Sequence, residues 1–252
     1  MNLYQEEIKV SEENQNAIQF NHTINLENIF FKFPNTSKYI INDISLSIKK
    51  GEKIGIIGSS GSGKTTLINI LLKFHNNYEG AIKIDDTILN NQHLKSWRKL
   101  IGYVKQDIFL MDASIIDNIT FNDSKPDDKR LKDAIDQSSL ASFINNLPEG
   151  LNTRIGERGS SLSGGQKQRL SIARSLYRNA EILIFDEATS ALDNQTEQEV
   201  SDAIDKLSNT QKTIIIIAHR LTTLKNCDRI YELKDGKIVA VHQYSDLIKN
   251  II

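Results

Sequence analysis

An α/β fold built around a mainly parallel sheet is predicted by three features of the sequence. Short, mostly apolar runs at Lys53 to Ile57, Ile182 to Phe185 and Thr213 to Ala218 alternate with stretches of helical periodicity. Strands that lack polar alternation are covered on both faces, as in a parallel sheet flanked by helices. A glycine-rich loop joins the first of these runs to a helical pattern. The composition, 39% hydrophobic and 25% charged over 252 residues, is that of an ordinary globular chain with enough material for a core.

Residues 1 to 22 are polar, rich in Glu, Asn and Gln with scattered apolar positions and no sustained period, and read as a linker or the remnant of a preceding segment. Residues 23–252 then form one domain. Ile24 to Phe33 and Tyr39 to Ile48 are β-rich, and Lys50-Gly51 gives a turn signal, so a small antiparallel sheet is expected first. After the strand Lys53 to Ile57 and the glycine loop, Leu67, Ile68, Leu71 and Leu72 recur at helical spacing. Ala81 to Leu89 reads as a hairpin about Asp85-Asp86. Residues 113 to 147 are mostly helical in pattern, with Pro126 and Pro148 near the breaks. An amphipathic helix from Gln166 to Tyr177 follows a Gly/Ser stretch, and the helix Thr196 to Leu207 lies between the last two buried strands. Asp235-Gly236 turns a final hairpin over Arg229 to Val241.

The charge balance narrows the possible partners. Thirty-one Lys and Arg against 32 Asp and Glu leave a net charge of −1, which gives no field to hold a polyanion and disfavours nucleic acid. A single cysteine, Cys227, cannot form an internal disulfide and fits a reducing compartment. The longest purely apolar runs fall far short of the roughly 18 to 20 residues that a membrane-spanning helix requires.

Gly58-Ser59-Ser60-Gly61-Ser62-Gly63-Lys64-Thr65-Thr66 satisfies the phosphate-loop pattern, and its place between a buried strand and a helix is the context that pattern needs. Backbone N–H groups of such a turn point at a β-phosphate, where a side chain would obstruct. Lys64 supplies a point charge for the β- and γ-phosphates, and Thr65 a hydroxyl ligand for Mg²⁺. The core is therefore expected to be a P-loop NTPase that takes a nucleoside triphosphate and Mg²⁺. Asp186 and Glu187 end the buried strand Ile182 to Phe185, at the edge where open α/β sheets bind ligands. Asp186 suits the Mg²⁺, generally through water, and Glu187 the base that polarises an attacking water. Leu162-Ser163-Gly164-Gly165-Gln166 opens a helix and offers a second phosphate grip on a positive dipole end.

This pentapeptide, about a hundred residues after the phosphate loop, resembles the signature motif of ATP-binding-cassette (ABC) ATPases. The resemblance covers nearly all of residues 24 to 249. It implies an α-helical signature subdomain near residues 107–175 beside the antiparallel one. Phe33, in Phe31-Lys-Phe33-Pro34, stands where the family places the aromatic that stacks on adenine, usually Tyr. Gln106 in Tyr103-Val-Lys-Gln106 looks like the Q-loop glutamine, which reaches the Mg²⁺ and the attacking water. Ser190-Ala-Leu-Asp193 looks like the D-loop, and His219 like the switch histidine on the γ-phosphate.

The family pairs two such domains head to tail, so that Ser163 and Gly165 of one chain face the γ-phosphate held by the other. ATP binding closes this clamp and hydrolysis opens it. Thr153-Arg-Ile-Gly156-Glu-Arg-Gly159 resembles the X-loop of exporters, which meets their transmembrane domains, although Arg154 stands where many exporters have Glu. Ser114-Ile-Ile-Asp117-Asn118-Ile119 and Ala218-His-Arg-Leu-Thr222 are also exporter-like. An ATPase domain of an exporter or flippase on the cytoplasmic side of the cell membrane is expected. The alternative is a separate ATPase subunit of an importer. A DNA-repair cassette would need a coiled-coil insertion between phosphate loop and signature, and residues 66 to 161 show no heptad run.

Overall fold

The structure is a computed structural model that describes residues 17–121, 123–189, 192–208, 210–218 and 220–249. A four-stranded antiparallel sheet comes mostly from the first third of the chain, with β1 (Thr23–Phe31), β2 (Ile41–Lys49), β4 (Glu79–Ile84) and β5 (Thr87–Ile88) in the order β2-β1-β4-β5. A six-stranded sheet holds β3 (Lys53–Ile57), β6 (Ile101–Lys105), β7 (Ile182–Asp186), β8 (Thr213–Ile217), β9 (Arg229–Lys234) and β10 (Lys237–His242) in the order β10-β9-β3-β8-β7-β6. Its neighbours are parallel except at the β9–β10 hairpin. The helices are α1 (Lys64–Leu71), α2 (Leu94–Lys99), α3 (Ile115–Thr120), α4 (Asp128–Gln137), α5 (Ala141–Asn145), α6 (Gly164–Tyr177), α7 (Asn194–Ser208) and α8 (Tyr244–Lys249).

The large sheet separates two apolar cores, and the two-residue period of its strands sorts side chains between them. Leu183, Phe185, Ile214 and Ile216 face α6, α7 and the helical segment before them. Their alternates Ile182, Ile184, Ile215 and Ile217 face α1 and the antiparallel sheet. This two-sided burial is why β7 and β8 read as continuous apolar runs. Gly102 in β6 lets α6 lie close, since a Cβ there would stand 2.5 Å from that of Ser175.

The predicted fold class is the observed one, with element ends shifted by a residue or two. Three elements carried too little pattern to be read: β6, α2 and α8 are five or six residues each. Within the stretch read as a polar linker, Ile18 and Phe20 are buried in the core facing α1, and Lys50 Nζ donates to the Phe20 carbonyl at 2.6 Å. Two isolated apolar residues among polar ones leave no period, so only the tertiary packing shows their role.

Candidate nucleotide site

The phosphate loop leaves the centre of the large sheet at the end of β3 and enters α1 through Gly63, whose φ is 107°. Gly58, with φ 151°, has no room for a side chain: a Cβ would lie 2.2 Å from the Leu233 carbonyl oxygen. At Gly63 it would lie 2.9 Å from Ile41 Cδ1 and 3.0 Å from the Ile40 carbonyl oxygen. Gly61 faces open space and is required only for its φ of 78°. The Lys64 side chain folds back over the loop, its Nζ donating to the carbonyls of Gly58 at 2.9 Å and Ser59 at 3.1 Å. Burial holds its pKa below the ordinary lysine value, while the charges of Glu187 and Asp186 push the other way.

Those two carboxylates end β7, next to β8 and across from β6. Asp186 is 8% exposed, and burial, with the Glu187 charge behind it, holds its pKa above the usual carboxylate range. Its Oδ2 accepts a 2.7 Å hydrogen bond from the Tyr103 hydroxyl. Glu187 turns the chain out of the sheet with φ 54°, its N–H donating to the Ile217 carbonyl at 3.1 Å. The Gln106 N–H donates to the Asp186 carbonyl at 3.1 Å, which fixes the start of the loop after β6. Thr65, Lys105, Gln106, Asp107, Asp186 and Glu187 line one cleft of about 270 Å³.

The structure therefore brings Thr65, Gln106, Asp186 and Glu187 together, with Lys64 beside them, and Gly164 lines an adjoining cleft with Gln106, Asp107 and Ala188. Ser163 caps α6 in a reciprocal box: its Oγ accepts from the Gln166 N–H at 3.3 Å, and Gln166 Oε1 accepts from the Ser163 N–H at 2.8 Å. Ser163 and Gly164 are exposed, and none of Ser163 to Gln166 lines the carboxylate cleft. Gly165 is buried against α7, where a Cβ would meet Thr196 Cγ2 at 2.3 Å. Asp193 caps α7, accepting from the Thr196 N–H at 3.0 Å and from its hydroxyl at 2.7 Å, and these bonds hold its carboxyl below the usual range. His219, Ser190 and Ala191 lie outside the described residues. Next to His219, the Arg220 guanidinium pairs with the buried Glu197 of α7.

Phe33 stands at a separate cleft of about 680 Å³, just past the end of β1, an inner strand of the antiparallel sheet. Its ring is 40% exposed and meets Phe31 and His75 edge-on, with centroids 5.1 and 5.6 Å away, while Phe31 and His75 stack on each other at 4.8 Å. Arg154, in the exporter-like segment, is exposed and lies 3.6 Å from Asp112. Tyr103, Lys105 and Asp107 were not singled out in the sequence. The recoverable signal was position, because Tyr103 and Lys105 share a strand face directly before Gln106.

Known proteins resemble this chain over most of its length. A lipid A-core flippase of Bordetella avium is 43% identical over 226 residues, covering 89% of this chain and 38% of the flippase. An uncharacterised ABC transporter ATP-binding protein of Bacillus subtilis, YwjA, is 44% identical over 210 residues, covering 83% of this chain and 36% of that protein. A β-(1→2)glucan export ATP-binding/permease protein of Bartonella bacilliformis is 42% identical over 232 residues, covering 92% and 38%. The solved structure of a bacterial Atm1-family ABC exporter with ATP bound superposes with a TM-score of 0.82 at 34% identity, over 94% of this chain and 41% of that one. The chain thus spans about two fifths of the proteins it resembles. The family described as ABC transporter matches residues 41–190, more than half of the chain, which therefore belongs to the ABC transporter family.

Proposed function

We propose that this chain is the ATP-binding and ATP-hydrolysing domain of an exporter or flippase, powering transport by ATP-driven head-to-tail dimerisation on the cytoplasmic side of the cell membrane. The observation that carries this reading is the cleft where Thr65, Gln106, Asp186 and Glu187 converge beside Lys64. The Gly58 to Thr66 loop would wrap the ATP phosphates, with Lys64 Nζ leaving its carbonyl partners for the β- and γ-phosphates. Phe33 offers an exposed ring for the adenine, supported from behind by Phe31 and His75.

The residues present fit Mg²⁺. Among the described residues no three His, Cys, Asp or Glu side chains gather as a protein-only metal cage. Mg²⁺ with a nucleotide needs only one or two protein oxygens besides phosphates and water. Thr65, Gln106 and the buried Asp186 supply such oxygens. A bound Mg²⁺ would neutralise charge on the phosphate oxygens. Glu187, on the same cleft, would orient and deprotonate the attacking water, and His219 would reach the γ-phosphate.

The exposed Ser163 cap, outside the cleft of its own chain, supports a site completed by a second copy. Its hydroxyl and the first N–H groups of α6 would meet the γ-phosphate held by the partner's loop. Transmembrane domains of an exporter, in the same or another polypeptide, would be the further partner, since no helix among the described residues can cross a membrane. Exporter-type relatives and the Thr153 to Gly159 segment favour this over an importer subunit.

Steady-state ATPase with Mg²⁺ tests the reading. Weak hydrolysis by the isolated chain, reduced at least ~100-fold by Lys64→Ala, is expected, on the scale of losing one electrostatic stabiliser of the transition state. Equal phosphate release by both proteins would contradict it.

A further inference from the structure

Asp186 carries its charge in a poor place for a carboxylate. It is 8% exposed at the end of a fully buried strand. A buried carboxylate needs donors, and a carboxylate meant for a cation must also keep an oxygen for it.

Tyr103 meets both needs. In the parallel register of β6 and β7, Tyr103 lies opposite Ile184 and Lys105 opposite Asp186, so the tyrosine is two residues short of the carboxylate it touches. Its ring leans forward along the strand to bring the hydroxyl within 2.7 Å of Asp186 Oδ2. Lys105 Nζ lies over the same ring, 5.4 Å from its centroid.

We propose that Tyr103 is a positioning residue for the divalent-cation site: by holding Asp186 Oδ2 it fixes the carboxylate so that Oδ1 serves the cleft shared with Thr65 and Gln106. The inference rests on the reading of Asp186 as a cation ligand. The tyrosine is not among the residues that line the cleft. It removes the rotational freedom that a lone buried carboxylate would lose on binding, and it satisfies Oδ2. Losing a hydrogen bond to a charged group then translates into roughly tenfold weaker cation binding.

Mn²⁺ binding to the whole chain, followed by the electron paramagnetic resonance of free Mn²⁺ with a saturating non-hydrolysable ATP analogue, tests this through a double-mutant cycle. Tyr103→Phe, Asp186→Asn and the double variant are compared with the unaltered protein. Affinity for the analogue in EDTA reports that each variant is folded. The expected result is that Tyr103→Phe weakens Mn²⁺ about tenfold, Asp186→Asn weakens it further, and Tyr103→Phe adds nothing in the Asp186→Asn background. Unchanged or tighter Mn²⁺ binding in Tyr103→Phe, with Asp186→Asn still weakened, overturns the role of Tyr103 alone. An equal loss in both backgrounds also overturns it, because the tyrosine would then act without Asp186. If Asp186→Asn binds Mn²⁺ normally, the cation-site reading fails and the inference fails with it.

Discussion

The phosphate loop uses three glycines for different reasons, and only part of this is visible in the pattern of letters. Gly61 needs its backbone conformation alone, whereas Gly58 and Gly63 combine a positive φ with backbone or core atoms where a Cβ would go. Gly63→Ala is therefore predicted to cost about 1 to 3 kcal/mol of stability from strain. Gly61→Ala should cost less than Gly63→Ala, as compared by denaturant melts. The sequence motif marks all three positions, but which atoms exclude a side chain depends on Leu233, Ile40 and Ile41, remote in the chain. Cys227 is buried, and burial pushes its pKa up to about 12. In the native protein at pH 7 it is predicted to react with a maleimide at least ~100-fold more slowly than after unfolding, because the thiolate is the nucleophile. Rapid labelling of the folded chain would contradict this placement.

Elements differed in how readable they were, and burial explains the difference. β7 and β8 are buried at every residue, so apolar letters alone mark them. β6 alternates, with Gly102, Tyr103 and Lys105 breaking its run, and it is recognised only by its pairing with β7. α2 spans six residues, less than two turns, and is fixed by Trp97, whose Nε1 donates to the Leu71 carbonyl at 2.9 Å. The strand framework also contains an ion pair that no local pattern shows. Glu52, before β3, binds Arg229 at the start of β9 through two hydrogen bonds of 2.6 and 2.8 Å, and Arg229 also donates to Ser47 of β2. Burial works against the Glu52 charge, but bonds from Arg229 and the Lys49 N–H outweigh it, so the carboxyl lies below its ordinary value. A lowered folded-state pKa means that the stabilisation is fully present above the ordinary pKa of 4.5 and is lost as pH falls through the folded value. Glu52→Gln is predicted to lower unfolding free energy by about 1 kcal/mol at pH 7, a modest figure because Arg229 is a third exposed. In urea melts the difference should shrink as pH drops below 4.5. A difference that is constant with pH would assign it to packing instead.

At the scale of the whole molecule, Ser163 lies outside the cleft that holds the two carboxylates, while its neighbour Gly164 lines a cleft with Gln106 and Asp107. The sequence placed the carboxylates and the signature segment at strand ends and helix starts, where anion chemistry belongs. In the carboxylate cleft, Thr65, Asp186 and Glu187 were legible because each borders a recognisable β-strand or loop motif, whereas Gln106, after the unreadable β6, was legible only through the family resemblance. The gap between that cleft and Ser163 was legible only through the family resemblance, since no local pattern encodes which surface of a second molecule a cap will meet. The same holds for Phe33, whose cleft is built with His75, 42 positions downstream by their residue numbers. The proposed clamp predicts that the functional unit forms only when nucleotide joins two copies, and that replacing Glu187, its proposed base, traps the pair. Light scattering of the Glu187→Gln chain with saturating ATP and Mg²⁺ measures this directly. A mass twice the 28.5 kDa of the chain, falling to one copy when nucleotide is removed, is the predicted result. A mass of one copy at saturating ATP and Mg²⁺ would contradict the ATP-driven clamp.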